Sequence, residues 1–332
     1  MQNMKLHKIT RYISGLRDIF CSHTRLHLRE EVLMKRYYQQ SAPLGTVHQT
    51  EIVMMIDGRC LHGGLSDRIR GIAGVYGFCR RHRIPFYIHH VYPFRLEDYL
   101  APNQVDWLLP DDRLTYHPAE SHPIMLQAAL LPAKLHNLAL SQYVKRYAGK
   151  QLHIYSNTVM NDADFHQHFQ ELFRPAPRLA KALEQGSVVP HSGYVAMVFR
   201  FQQLLGDFKE GGFAILSNQE RQQLMDRCVA KVDEIHQQAH PQSRVLITSD
   251  STTFLHYIQA RKPYVVTIPG KVVHMDFSVH DNYETYQKSF VDLLLLSGAD
   301  KIYLLRTGKM YRSGFGKRAA KLGDIPYEEV KF

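Results

Sequence analysis

Short apolar runs alternate with amphipathic stretches along most of the chain. Glu51–Ile56 and Val245–Thr248 are mostly apolar runs that end in polar turns, which is typical of strands buried on both faces. Between such runs, apolar residues recur at helical spacing, as in Leu65–Arg81 and Asn218–Ala239. Strands that alternate with helices indicate parallel sheets, so the pattern predicts an α/β fold.

The predicted elements fall into two blocks. The first block has strands at 51–56, 85–91 and 151–155 and helices at 65–81, 125–138 and 162–172. The second has strands at 195–201, 245–248, 264–268 and 301–305 and helices at 218–239, 252–261, 283–297 and 317–322. Pro175, Pro177 and the segment Gly186–Gly193 indicate a joint between the blocks. We therefore expect two doubly wound, Rossmann-like domains, 45–185 and 186–332, that face a central cleft.

Residues 1–44 have a different pattern. Their apolar positions recur every three or four residues, which predicts an amphipathic helix with the stripe Leu6, Ile9, Ile13, Leu16 and Phe20. Residues 1–36 carry eight Lys and Arg against three acidic residues, a net charge of +5. This segment either lies on an anionic membrane face or docks on the protein's own surface.

Composition narrows the class of partner. The chain has 41 Lys and Arg against 31 Asp and Glu, a net charge of +10, which favours an anionic partner. Aromatic residues are not interleaved with the basic ones, so nucleic acid is not expected.

The four Cys form no CxxC pair, which indicates a reducing compartment and predicts no metal site. No apolar run approaches the roughly 20 residues that span a bilayer. We expect a cytoplasmic protein, with possible peripheral contact to the inner membrane face.

Ligands of doubly wound sheets bind beyond the carboxyl ends of the strands. Gly63 and Gly64 follow the first strand and, with Arg68, suit a phosphate at a helix N-terminus; a tight turn capped by Ser66 or Asp67 is the alternative. A second candidate is Arg200, at the end of the strand 195–201. It predicts either a salt bridge or an anionic ligand, because arginine is rarely buried without a partner.

Three further segments follow strands. Asp207 and Glu210 come soon after Arg200, and each is a candidate general base, Asp207 first. The turn 249–253 predicts a helix cap or a contact with sugar hydroxyls. The loop 306–317 is a Gly-rich basic turn before a helix, which suits phosphate or is simply solvated. It is not a P-loop, because Gly316-Lys317 is followed by Arg318 rather than Ser or Thr.

Five segments, in chain order, resemble motifs of the fucosyltransferase superfamily. They are Gly63-Gly-Leu-Ser-Asp-Arg-Ile-Arg-Gly-Ile72, Val198-Phe-Arg200, Val245-Leu-Ile-Thr-Ser-Asp250, Asp292 eight residues before Asp300, and Ser313-Gly-Phe-Gly-Lys-Arg-Ala-Ala320. The resemblance spans about residues 50–325. Two positions depart from it: Val198 stands where the motif has His, and Phe201 follows Arg200 where some members have a second Arg.

The resemblance implies a GT-B fold and an inverting, metal-independent transfer of L-fucose from GDP-fucose to a hydroxyl of an oligosaccharide or lipid-linked glycan. No cofactor is expected. By position, Arg200 would contact the diphosphate, with Ser313, Gly314 and Phe315 near the phosphates. Asp250 and Asp292 would lie near guanosine. The loop residues Gly63, Gly64, Asp67 and Arg68 would line the opposite side of the cleft. A transferase for another nucleotide sugar and a catalytically inert binding homologue are the alternatives.

Overall fold

The computed structural model describes residues 25–44, 47–127, 133–157, 163–185, 193–207, 215–273, 275–276 and 282–332. Contacts within the chain divide them into two compact units. Unit 1 holds the described residues of 25–96 and 102–174, and unit 2 those of 97–101 and 175–332. The helix predicted over Leu6 to Phe20 lies outside the described residues. None of the described helices is long and apolar enough to cross a bilayer.

The chain from residue 25 to residue 175 forms four α-helices and six strands within its described residues. They are α1 (Arg25–Tyr37), β1 (Glu51–Ile56), α2 (Leu65–His82), β2 (Phe86–His90), β3 (Leu100–Pro102), β4 (Ser121–Met125), α3 (Ala133–Arg146), β5 (Gln151–Tyr155), α4 (Phe165–Leu172) and β6 (Phe173–Pro175). Two 3₁₀ turns lie at Leu96–Asp98 and Asp111–Arg113.

The main sheet of unit 1 is parallel, with the strand order β2-β1-β5-β4. β1 is central and all six of its residues are buried, as its apolar run predicts. α1 packs against the edge strand β4, where Glu30 Oε1 accepts a hydrogen bond of 2.8 Å from the backbone N–H of Met125. This contact satisfies a polar group that an edge strand would otherwise leave unpaired.

Unit 2 continues the alternation. Its elements are α5 (Pro177–Gln185), β7 (Tyr194–Phe199), α6 (Asn218–Ala239), β8 (Arg244–Ser249), α7 (Thr252–Gln259), β9 (Val265–Thr267), α8 (Tyr283–Ser297), β10 (Lys301–Arg306), α9 (Phe315–Gly323) and β11 (Tyr327–Lys331). α6 begins at a capping box, in which Ser217 Oγ accepts from the Glu220 N–H and Glu220 Oε2 accepts from the Ser217 N–H.

The five strands of unit 2 are parallel in the order β11-β10-β7-β8-β9. The chain moves outward from β7 through β8 to β9 and then returns to the other side of β7, as in a doubly wound sheet. Successive strand residues face opposite sides. Met197 packs in one core with α6 and α7, whereas Val198 lies beneath α9 on the other face.

The structure differs from the sequence-based prediction at several strands and helices. β4 was not predicted, because residues 92–140 are rich in proline and look irregular; β4 contains Pro123 and lies at the edge of the sheet, where proline is tolerated. The helix predicted at 125–138 is wrong at its start, since Met125 is the last residue of β4 and residues 126–127 are not helical. β11 is an edge strand with partly exposed residues, so it lacks an apolar run. α5 was missed because Pro177 indicated a joint, although proline is common at the first helical position.

Candidate functional site

The carboxyl edge of the unit 2 sheet brings the ends of β7, β8 and β10 together. The strand order reverses between β7 and β10, and this is where ligands bind in doubly wound sheets. Arg200 follows β7, Asp250 follows β8 and Thr307 follows β10. The backbone N–H of Tyr311 donates to the carbonyl of Arg200 at 3.1 Å, so the loop after β10 is joined to the end of β7.

Arg200 and Asp250 form an ion pair at this edge. Arg200 Nη1 lies 3.2 Å from Asp250 Oδ2, and the exposed fractions of the two side chains are 18% and 1%. The sequence left a salt bridge and an anionic ligand open for Arg200. The structure shows the salt bridge, and the partial exposure of the guanidinium leaves room for a second anion as well.

Asp250 also holds the backbone that follows Arg200. Its Oδ1 accepts from the N–H of Phe201 at 2.8 Å, and its Oδ2 accepts from the N–H of Gln202 at 2.7 Å. Burial raises the pKa of the Asp250 carboxyl, while Arg200 and the two amides act in the opposite direction and stabilise the carboxylate. Gln202 has a φ of +54°, a left-handed conformation that costs a non-glycine residue about 1–2 kcal/mol. The Asp250 carboxylate therefore holds a strained turn in place.

The N-terminus of α9 lies at the same edge. Phe315 N–H donates to Ser313 Oγ at 3.2 Å, and a Cβ added to Gly314 would meet no atom within 4 Å. Two residues further, a Cβ at Gly316 would lie 3.0 Å from Val198 Cγ2, which is tighter than an ordinary van der Waals contact, so glycine lets the helix lie close to β7. The first N–H groups of a helix lack partners within it and attract anions. Val198, which stands where the motif has histidine, is the apolar residue that lies beneath this turn.

Asp207, which follows β7 in the chain, contacts the N-terminus of α7 through its side chain. Its Oδ2 accepts from Ser251 Oγ at 2.9 Å, Thr252 Oγ1 at 3.2 Å and Thr253 N–H at 2.8 Å. Ser251 Oγ in turn caps α7 by accepting from the Phe254 N–H at 3.1 Å, so the helix-cap interpretation of this turn is confirmed. Within the described part of the chain, Asp207 Oδ1 is buried and has no hydrogen-bond partner. Glu210 lies outside the described residues.

Asp292 is buried on α8 and pairs with a cation of its own helix. Lys288 Nζ lies 2.9 Å from both carboxylate oxygens of Asp292. Burial raises the pKa of the Asp292 carboxyl, and Lys288 opposes that shift. Asp250 and Asp292 are the two predicted contacts to guanosine. Each of these carboxylates already forms an ion pair with a basic side chain of the protein.

The predicted loop of unit 1 folds around Arg68. This side chain is 1% exposed, and its guanidinium donates to the carbonyls of Gly63 at 2.8 Å and Tyr92 at 2.6 Å. Gly63 has a φ of +84°, and Gly64 caps α2 without a side-chain hydrogen bond. Asp67 pairs with Arg70 at 2.8 Å instead of capping the helix. The capping alternative for this turn is therefore wrong, and Arg68 holds the loop through its backbone.

A second polar cluster in unit 1 was not predicted. Asp57 follows β1, is 4% exposed, and accepts from Tyr155 Oη at 2.8 Å and from the Arg59 N–H at 3.0 Å. The Arg59 guanidinium lies between the rings of Tyr37 and Tyr116, 4.2 and 4.3 Å from their centroids. The only signal in the sequence was the place of Asp57 directly after a strand, because its partners are distant in the chain.

No group of three His, Cys, Asp or Glu side chains suited to a metal ion occurs among the residues that the structure describes.

No protein-family model and no curated protein matches the sequence. Solved structures share its fold, two fucosyltransferases among them. One is NodZ, an alpha-1,6-fucosyltransferase from Bradyrhizobium soaked with GDP-fucose, with 12% identity, a TM-score of 0.52, and 83% of this chain and 92% of NodZ covered. The other is a variant of FUT1 from Arabidopsis thaliana in complex with GDP, with 15% identity, a TM-score of 0.50, and 97% and 78% covered. The chain thus has the α/β, GT-B fold of these fucosyltransferases, and the predicted fold class is confirmed.

Proposed function

We propose that this chain is a fucosyltransferase that transfers L-fucose from GDP-fucose to a hydroxyl of a glycan, without a metal ion and with inversion. The observation that carries the proposal is the carboxyl edge of the unit 2 sheet. There, Asp250 fixes the Arg200 side chain, and the Arg200 carbonyl accepts a hydrogen bond from Tyr311, in the loop that leads to α9. The solved structures of the same fold hold GDP-fucose or GDP, which supports a nucleotide sugar as the ligand.

The leaving diphosphate is the group that this edge suits. Negative charge builds on it as the bond to the sugar breaks, and fixed cations and N–H donors stabilise that charge without reorganising. Arg200 supplies a guanidinium whose position Asp250 fixes, and Ser313, Gly314 and Phe315 form the turn at the N-terminus of α9, where Gly314 leaves space for a phosphate. In this proposal Asp250 positions Arg200 instead of contacting guanosine itself.

The acceptor hydroxyl must lose its proton during transfer. Asp207 is the first candidate general base and Glu210 the second, as positions after Arg200 suggest. Asp207 Oδ2 already accepts three hydrogen bonds, so the oxygen that would take the proton is Oδ1. The acceptor in the proposal is an oligosaccharide or a lipid-linked glycan in the cytoplasm.

A nucleotide panel tests the donor. Melting of the wild-type protein is followed with GDP, GDP-fucose, UDP and CMP at equal concentrations. We expect stabilisation by GDP and GDP-fucose and none by CMP, because bound ligand stabilises the folded state by mass action. A larger shift with UDP than with GDP would replace GDP-fucose by another nucleotide sugar, and no shift with any of the four would refute a nucleotide site.

A transfer assay separates the enzyme from an inert binding homologue. Radiolabelled GDP-fucose is incubated with a mixture of oligosaccharide and lipid-linked glycan acceptors, and labelled glycan is separated from donor. We expect labelled glycan that requires the protein. Tight binding of GDP-fucose without transfer to any acceptor and without slow hydrolysis of the donor would favour the inert homologue.

A further inference from the structure

The outer face of α1 combines exposed apolar side chains with basic ones. Leu28 and Val32 are 51% and 58% exposed and lie one helical turn apart. Three cations on the same helix, Arg29, Lys35 and Arg36, are also exposed. The opposite face is buried in unit 1 through Leu26, Glu30 and Leu33. The outward face of α1 is thus amphipathic in its own right and is not needed for packing within unit 1.

The charge of this face decides which occupant suits it. Glu31 lies 3.7 Å from His27 Nε2 and offsets one of the three exposed cations, so the face keeps a net charge of +2. Residues 1–24, which precede α1, carry Lys5, Lys8, Arg11 and Arg17 against Asp18, a net charge of +3. A basic segment laid on a basic face is unfavourable, and so is a second copy of α1. A surface that is anionic and also accepts apolar side chains satisfies both parts of the face.

We propose that α1 docks on an anionic lipid bilayer. Leu28 and Val32 enter the boundary between headgroups and acyl chains, and Arg29, Lys35 and Arg36 lie among the lipid phosphates. Helices of this kind bind by buried apolar area and by electrostatic attraction together. Each basic residue near such a surface strengthens binding about fivefold. The inference depends on α1 alone and not on the proposed transfer reaction.

The test is flotation of the full chain with lipid vesicles. We expect binding to vesicles that contain phosphatidylglycerol, little binding to pure phosphatidylcholine, and release at about 1 M salt, where the Debye length falls to about 3 Å. The variant Leu28→Gln/Val32→Gln should bind about tenfold more weakly. Ile215→Gln is the matched apolar control, because Ile215 is 58% exposed but lies in unit 2.

Charge is tested separately. Arg29→Ser/Lys35→Ser should lose roughly 25-fold in binding to anionic vesicles. Lys321→Ser/Lys331→Ser removes two exposed cations of unit 2 and should bind like the wild type. Equal binding to neutral and anionic vesicles, or α1 variants that bind like their controls, would overturn the proposal. So would a full chain that ignores vesicles and forms a dimer that the Leu28→Gln/Val32→Gln variant cannot form, because the face would then be a protein interface.

Discussion

Replacing Asp250 by asparagine isolates the link that fixes Arg200. The change keeps the shape of the side chain and removes one negative charge. It also leaves one acceptor oxygen where the structure uses two: Oδ1 for the Phe201 N–H and Oδ2 for the Gln202 N–H. Whichever way the amide turns, its NH₂ group faces one of these two backbone N–H groups, and the pair with Arg200 loses its negative charge.

The expected cost follows from burial. Removing one member of a fully buried ion pair costs about 3–5 kcal/mol, and since Arg200 is 18% exposed we expect the lower end of that range. The strained left-handed turn at Gln202 then also loses the acceptor that holds it. For a unit of roughly 150 residues, each kcal/mol lowers Tm by about 2–4 °C. We therefore expect a fall in Tm of about 10 °C, together with at least a tenfold loss of GDP affinity.

Circular dichroism melting and calorimetric titration with GDP measure the two effects. Asp324→Asn is the matched control: Asp324 is exposed in unit 2, its φ of +51° suits asparagine, and the change should alter stability by less than about 0.5 kcal/mol. An Asp250→Asn protein that melts within about 2 °C of the wild type and binds GDP equally well would refute the view that this carboxylate organises the site.

Three further predictions concern other parts of the chain. Burial raises the pKa of the Glu30 carboxyl from 4.5 to about 7, so between these pH values the folded protein holds a proton that the unfolded chain releases. The free energy of unfolding of the wild type should therefore fall by about 3 kcal/mol from pH 4.5 to 7. Urea melts of Glu30→Gln should lack that fall. Gly316→Ala should cost about 1–3 kcal/mol by forcing α9 away from Val198, whereas Gly314→Ala should melt near the wild type, since its methyl group meets no atom within 4 Å. Asp207→Asn should reduce turnover about 100-fold or more at unchanged GDP affinity if Asp207 is the base; a modest loss of stability with normal turnover and an unchanged pH profile would leave it a helix cap only.

Much of the fold follows from local patterns, because buried parallel strands and amphipathic helices each have a period that a short window shows. α6 and α8 were predicted at their observed limits, Asn218–Ala239 and Tyr283–Ser297. The missed strands β4 and β11 both lie at the edges of their sheets. An edge strand has one neighbour only and is more exposed, so its sequence need not be a continuous apolar run.

The sequence predicted candidate residues of the site but not which of them contact each other. Arg200 and Asp250 were both candidates because each follows a strand, but their pairing depends on β7 and β8 being neighbours, which no local pattern shows. Asp207 was chosen for its nearness to Arg200 in sequence, whereas its contacts are with the start of α7, more than 40 residues later. Asp57 was not chosen, because its partner Tyr155 is 98 residues away.

The central claim is that the diphosphate of a guanine nucleotide binds at the carboxyl edge of the unit 2 sheet, on Arg200. The most direct measurement is the GDP dissociation constant of Arg200→Ala by calorimetry, with Arg244→Ala as the control; Arg244 is exposed at the amino end of β8, on the opposite edge of the same sheet. We predict a loss of at least about 30-fold for Arg200→Ala, which corresponds to about 2 kcal/mol for a charge-assisted contact, and no change for Arg244→Ala. A folded Arg200→Ala protein that binds GDP as tightly as the wild type would contradict the claim.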